Sequence, residues 1–284
     1  MKKVVFFFAC ILFMHQALYA QNLRVLVFSK TAEFRHESIA AGKLAFEKMA
    51  KAKGFAVDFS EDASVFSESN LKKYNAITFL STTGDILNED QQNVFERYIQ
   101  AGGGFLGIHA AADCEYQWPW YGSLVGGYFL DHPVNNIQNG KFTVVEKNHW
   151  ATKGMPDTFE KVDEFYSFKN LNPNVKVLLT IDEKSYQGGK NGNYHPMSWY
   201  HEFDGGRAFY TAMGHTNETF TNELFLNHVW AGLNYVMKGE APVVLDYSKV
   251  KPEENRFTKV ILEEKLNEPM ELTRLLYRSK IEMQ

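Results

Sequence analysis

Cysteine is nearly absent from this chain, with two in 284 residues. Cys10 falls in the leader segment described below, which leaves Cys114 alone, so no internal disulfide can form. Positive charge is not in excess either. Lys and Arg number 30 against 34 Asp and Glu, a formal net charge of −4 that becomes −6 once Lys2 and Lys3 leave with the leader, and this balance excludes the basic footprint of a nucleic-acid partner. No apolar run approaches the roughly 20 residues of a membrane-spanning helix. What is present is a 45% hydrophobic and 15% aromatic composition, enough to pack one large α/β domain.

Residues 1–20 stand apart. Lys2-Lys3, the apolar stretch Val4 to Phe13, and Ala17-Leu18-Tyr19-Ala20 before the polar Gln21-Asn22 form the parts of an export signal. Cleavage is expected after Ala20, and the mature protein is expected in the periplasm or outside the cell, off the membrane. Residues 240–284 are charged and carry Pro242, Pro252 and Pro269, which reads as an extension beyond a domain spanning 21–239.

Inside that domain strand and helix signals alternate. Leu23–Ser29, Phe55–Phe59 and Asn75–Ser81 read as short buried strands, with a helix over 37–53 stopped by Gly54 and a second opened by a capping box at Asn88 and Gln91. A fourth strand follows Gly102-Gly103-Gly104 and ends at His109. Successive strand–helix steps imply right-handed crossovers, and so a flavodoxin-like, doubly wound, mainly parallel sheet with helices on both faces. Further strands are expected over 141–146, 175–181, 197–203 and 207–213, the last two joined by an Asp204-Gly205-Gly206 turn. A closing amphipathic helix is expected over 222–238. His109 sits where ligands collect in open α/β sheets, beyond the carboxyl end of a strand, and the small residues after it leave its side chain clear.

Several blocks together resemble the ThuA-like family, named for trehalose utilisation, over Leu23 to Gly239. They are Phe34-Arg35-His36, Gly107-Ile108-His109-Ala110-Ala111-Ala112-Asp113, Trp120-Tyr121-Gly122 with Gly126-Gly127, Asp131-His132-Pro133, Asp163-Glu164-Phe165-Tyr166, His195-Pro196-Met197-Ser198-Trp199, Gly206-Arg207-Ala208-Phe209-Tyr210 and Gly214-His215. The resemblance implies a fold like that of the class I glutamine amidotransferases. Where those enzymes place a nucleophilic cysteine at the turn this chain has His109, and Cys114 lacks a neighbouring base in the sequence, so a thioester mechanism is disfavoured.

Imidazoles with a carboxylate suit a divalent metal such as zinc. His36 and His109 follow strands read as sheet neighbours, and Glu164, or Asp163, is placed to add an oxygen ligand. No short fixed-spacing metal motif is present, so hydrogen-bonded polar lining without metal stays open as the alternative. Glu164 and Asp113 join His109 as catalytic candidates, Glu164 as general base and Asp113 as the carboxylate fixing a histidine tautomer. Trp120, Tyr121, His132, Tyr166, Trp199 and His215 are candidates for binding a small saccharide, with Trp118 beside them as a further aromatic face. His149, His201 and His228 lie within elements and read as packing residues. The stretch 252–272 resembles the entry to a sugar-dehydrogenase-like propeller that is itself missing, so a sugar-dehydrogenase-like partner is expected. Two readings result: a metal-assisted, sugar-processing hydrolase or isomerase acting on trehalose or a related keto-sugar, or a non-catalytic carbohydrate-binding or partner-docking module.

Overall fold

The computed structural model describes residues 23–237 and 243–251. The chain opens with β1 (Arg24–Phe28), α1 (Ser38–Lys53), β2 (Ala56–Ser60), a single helical turn α2 (Glu68–Leu71), β3 (Ala76–Leu80) and the two-residue β4 (Thr83–Gly84). It continues through α3 (Glu89–Gln100), β5 (Gly104–Ile108), the two-residue β6 (Asp113–Cys114), α4 (Pro119–Val125) and β7 (Tyr128–Asp131). The second half supplies β8 (Ile137–Val144), β9 (Thr158–Glu164), β10 (Ser167–Lys169), β11 (Lys176–Asp182), β12 (Pro196–Phe203), β13 (Gly206–Thr211) and α5 (Glu223–Val236).

Local chemistry explains the boundaries. Asn88 and Gln91 exchange side-chain and backbone hydrogen bonds as a capping box at the start of α3. Gly54 closes α1 with a left-handed φ of 78°. Asp204 and Gly205 both take positive φ, 46° and 94°, the geometry that lets a two-residue turn match the twist of β12 and β13.

One nine-stranded sheet organises the protein, in the order β2-β1-β3-β5-β13-β12-β11-β8-β9. β2, β1, β3, β5 and β13 pair in parallel, whereas β13 to β12, β12 to β11, β11 to β8 and β8 to β9 are antiparallel. The parallel sheet expected from the strand–helix alternation is therefore one half of a mixed sheet. The expected alternation ends where the crossover helices end, and hairpins take over. The inner parallel strands β3 and β5 are fully buried apolar runs, Ala76–Leu80 and Gly104–Ile108, whereas β2 at the edge is only half-buried. β8 alternates buried and exposed residues, as a strand with one wet face should.

Alternating direction puts β9 in the same sense as β13, so Glu164 ends β9 on the side where β1, β5 and β13 also end. A flat sheet would separate β9 from β13 by four strand spacings, roughly 19 Å. Register shifts in β11 around Val177 to Thr180 bend the antiparallel half. The edge curls back until Asp163, next to the end of β9, accepts hydrogen bonds from the Gly214 and His215 amides beyond β13.

Residues 243–250 belong to the same unit as the sheet, although the sequence reading placed them in the extension. Val243 is buried, its carbonyl accepts from Asn75 Nδ2, and the Asp246 amide donates to Ala101. The leader and the propeller-like stretch lie outside the described residues. No described helix is long and apolar enough to cross a membrane. A chain ending at Gly239 should melt at least roughly 5 °C below one ending at Lys251, because it loses a buried valine and two backbone anchors; equal midpoints in a thermal scan would show that 243–251 contributes nothing.

Candidate functional site

Four groups converge at the carboxyl edge of the sheet. His36 lies on the loop after β1, His109 directly after β5, His215 beyond β13, and Glu164 at the end of β9. Their ligand-capable atoms lie within 4.8 Å of one another. Three form a tight triangle: Glu164 Oε2 is 3.2 Å from His109 Nε2 and 3.0 Å from His215 Nδ1, and those two nitrogens are 3.2 Å apart. His36 and His109 are not on neighbouring strands as expected, since β3 runs between β1 and β5; the long loop after β1 brings His36 across it.

The environment of each ring restricts its protons. His109 Nδ1 is 2.8 Å from the Ala212 carbonyl, which can only accept, so Nδ1 carries hydrogen and Nε2 is the ring nitrogen that faces the carboxylate. The tautomer role assigned to Asp113 thus belongs to a backbone carbonyl. Asp113 is itself bonded by Tyr116 Oη at 2.5 Å, and burial raises its pKa. His109 also takes a positive φ of 51°, uncommon for a residue with a Cβ, and Tyr210 Oη holds its carbonyl at 2.7 Å.

Burial opposes ionisation of Glu164, yet His109 and His215 together override it and hold the carboxyl below the usual carboxylate range. A carboxylate so stabilised is a weak proton acceptor, which fits a ligand or electrostatic anchor better than the general base expected from sequence. Burial pulls His215 down, but Glu164 outweighs it and raises the ring's pKa. His36 is pushed down to about 2 by burial, with His109 and His215 adding to it, and its Nδ1 is buried with no hydrogen-bond partner.

Other residues fix this constellation. Asn136, which sequence reasoning missed, donates from Nδ2 to Glu164 Oε1 at 2.8 Å. It sits in a loop just before β8, where nothing in the sequence distinguishes it from other polar loop residues. Asp163 is fully buried and accepts from Gly214 N, His215 N, Thr219 Oγ1 and the Glu164 amide. It is a support for the site rather than a member of the cluster.

The predicted saccharide contacts divide. Tyr166 packs its ring 4.3 Å from that of His109, with its hydroxyl 3.5 Å from His36 Nε2. His132 stands at the rim, its side chain 41% exposed and Nδ1 3.8 Å from Glu164 Oε1. The other aromatics are core. Trp120 donates to Asp204 in the β12–β13 turn, at the opposite end of the sheet. Tyr121 bonds the Ala111 carbonyl and stacks on Phe79. Trp199 is buried, bonded to the Val125 carbonyl and stacked on Tyr210. Trp118 is buried and stacks on Trp120. Cys114 is buried among Ala111 O, Tyr121 Oη and Thr82 Oγ1, and burial pushes its thiol pKa up, so it makes no nucleophile.

The chain belongs to the ThuA family, described as trehalose utilisation, whose model matches residues 24–236. Among solved structures it is similar to a ThuA-like protein from Bacteroides uniformis ATCC 8492, at 25% identity and TM-score 0.66, over 76% of this chain and 91% of that one. A ThuA-like protein from Parabacteroides merdae ATCC 43184 is 17% identical with TM-score 0.64, over 82% of this chain and 100% of the other. A cytoplasmic protein from Salmonella typhimurium LT2 is 14% identical with TM-score 0.55, over 75% and 98%. The last two likenesses are of fold alone. No curated protein matches the chain.

Two outcomes test the site's construction. Asp163→Asn should destabilise the protein by about 2–4 kcal/mol, because its remaining amide nitrogen would face donors; an unchanged denaturant midpoint would show that the carboxylate is not the tie described. Burial lowers the pKa of His36, His149, His195, His201 and His228, the last to about 4, whereas His215 is raised. A lowered histidine contributes stability that is present above its unfolded value of about 6.5 and lost as pH falls. His215 runs the other way, so five groups oppose one and unfolding should become easier from pH 7 to pH 5. A midpoint that rose over that range would contradict the assignment.

Proposed function

We propose that His36, His109, His215 and Glu164 form a divalent-metal centre, with zinc the best match, in a sugar-processing enzyme. The observation that carries this reading is the triangle of ligand atoms 3.0–3.2 Å apart. Tetrahedral zinc with bonds near 2.0 Å sets neighbouring ligand atoms roughly 3.3 Å apart. A second point supports it. With Nδ1–H committed to Ala212, the His109 Nε2 lone pair faces an anionic oxygen, which repels it unless a cation lies between them. In the absence of metal that cation is a proton; the unpartnered Nδ1 of His36 favours a centre that uses more than protons. When bound, the metal would polarise a hydroxyl or carbonyl oxygen of the substrate.

The chain's own residues supply the rest. Glu164 stays ionised and is oriented by Asn136, and the Ala212 carbonyl keeps the His109 ring in one tautomer and direction. His132 is the residue we assign to proton transfer. Its Nδ1 lies 2.9 Å from the Pro133 carbonyl, which places hydrogen on Nδ1 and leaves Nε2 to accept a proton at the rim. Tyr166 covers one face of the His109 ring and excludes water from it. Isomerisation and hydrolysis of a small saccharide both use these groups. The family description makes trehalose or a related keto-sugar the substrate class to test first. The strand order β2-β1-β3-β5-β13 supports reading the parallel half as a flavodoxin-like, doubly wound core that presents the site at its carboxyl edge. Export and a sugar-dehydrogenase-like partner belong to the same proposal, on the leader and tail sequences.

Elemental analysis and isothermal calorimetry of protein purified without chelator test the centre. About one zinc per chain is expected, with affinity reduced at least tenfold to a hundredfold by His109→Ala or Glu164→Gln. Zinc below stoichiometry after loading, or equal affinity in both variants, would remove the metal from the proposal. Product analysis over a saccharide panel then separates enzyme from binding module, because a module gives heat without turnover.

A further inference from the structure

The aromatic platforms that the sequence offered for a sugar ring, Trp118, Trp120, Tyr121 and Trp199, are all buried in the core. One aromatic beside the cluster is not. Phe34 is 64% exposed, and its ring meets that of His36 edge-on with centroids 4.8 Å apart. The cluster also reaches solvent: the His215 side chain is 18% exposed, and its ring centroid lies 5.1 Å from that of His36.

Phe34 is exposed but held. Its carbonyl accepts from Thr83 Oγ1 at 2.8 Å, and Ala32 bonds Thr83 through its amide. The next residue, Arg35, makes a forked pair with Glu61 at 3.0 and 2.8 Å, a carboxylate that Lys43 also contacts. Isolated surface apolar side chains are common and carry no message by themselves. A large aromatic on a backbone held at both sides, its ring against a member of a buried polar cluster, presents an apolar face that needs little backbone ordering when a ligand arrives.

We propose that Phe34 is the stacking platform for the C–H face of a pyranose ring whose oxygens reach the His/Glu cluster. The ligand must be amphipathic in one particular way: polar at the edge that meets His109, His215 and Glu164, and apolar on the flat face that meets Phe34. A pyranose has both, with equatorial hydroxyls around its rim and axial C–H bonds on its faces. Inorganic or short carboxylate ligands have the first and lack the second. This assignment rests on the saccharide reading above and names the residue that would select for it.

Calorimetry on the zinc-loaded full-length mature protein tests it, with trehalose and methyl α-glucoside as sugar probes and acetate as a probe that can reach the cluster without an apolar face. Phe34→Ala should weaken both sugars about tenfold while zinc and acetate affinity stay within twofold of the wild type, and Phe34→Tyr should restore sugar binding. Far-UV circular dichroism confirms that each variant is folded. Wild-type sugar affinity in Phe34→Ala, together with its loss in His109→Ala, would overturn the platform and leave the saccharide reading standing. An equal loss for acetate and sugars in Phe34→Ala would also overturn it, since Phe34 would then act on the cluster itself. A wild-type protein that binds acetate and neither sugar would overturn both.

Discussion

The carboxylate of Asp163 is the constraint on which the candidate site depends. It is fully buried, so its charge is tolerable only if donors surround it, and the donors come from distant parts of the chain: the Gly214 and His215 amides after β13 and the Thr219 hydroxyl, with Lys161 Nζ 3.7 Å away. One side chain thereby fastens the last strand of the antiparallel half to the last strand of the parallel half. Glu164 follows it in sequence and His215 is one of its partners. The distance between those two cluster members is therefore set by a buried electrostatic tie, not by the cluster's own affinity for anything.

How much of this was legible in the sequence follows from where each signal lies. The parallel half was readable because its inner strands are buried on both faces and appear as short apolar runs, with Gly54 and the Asn88–Gln91 box marking helix ends. β9 was not. Its sequence, Thr158 to Glu164, sets four charges, Glu160, Lys161, Asp163 and Glu164, against two apolar residues, Phe159 and Val162, and at that charge density it resembles a loop. Two of those charges are buried for reasons that exist only once the sheet curls. The mixed character of the sheet was hidden in the same way, since strand signals without intervening helices do not announce the position of an edge.

Residue type and sheet end explain the divided outcome at the site. His36, His109 and His215 were recognisable as loop or strand-end residues, and parallel strands ending on one side bring such positions together. Trp120, Tyr121 and Trp199 carry the right chemistry for a sugar, but aromaticity does not say which end of the sheet a residue serves. Trp120 bonds a turn at the amino end of β13, where no cluster member can reach. Asn136 and the Ala212 carbonyl do essential orienting work with groups that every sequence contains in number, and only coordinates single them out.

The turn at His109 ties the fold to its chemistry. The end of β5 presents an imidazole in left-handed backbone geometry, and the one thiol among the described residues, Cys114, is sealed in the core with its proton. A positive φ on a residue with a Cβ costs on the order of 1 kcal/mol or more and persists only when neighbours over-determine it. The neighbours are specific: Tyr210 Oη on the His109 carbonyl and Ala212 O on the ring, both from β13 or its immediate extension. His215 follows three residues after Ala212, so one segment of chain both holds the strained imidazole and delivers a second one against it. Holding an imidazole in this geometry therefore depends on more than the residue itself. The adjacent strand must end in a segment that locks the ring and completes a cluster around it, and the stretch from Tyr210 to His215 does both.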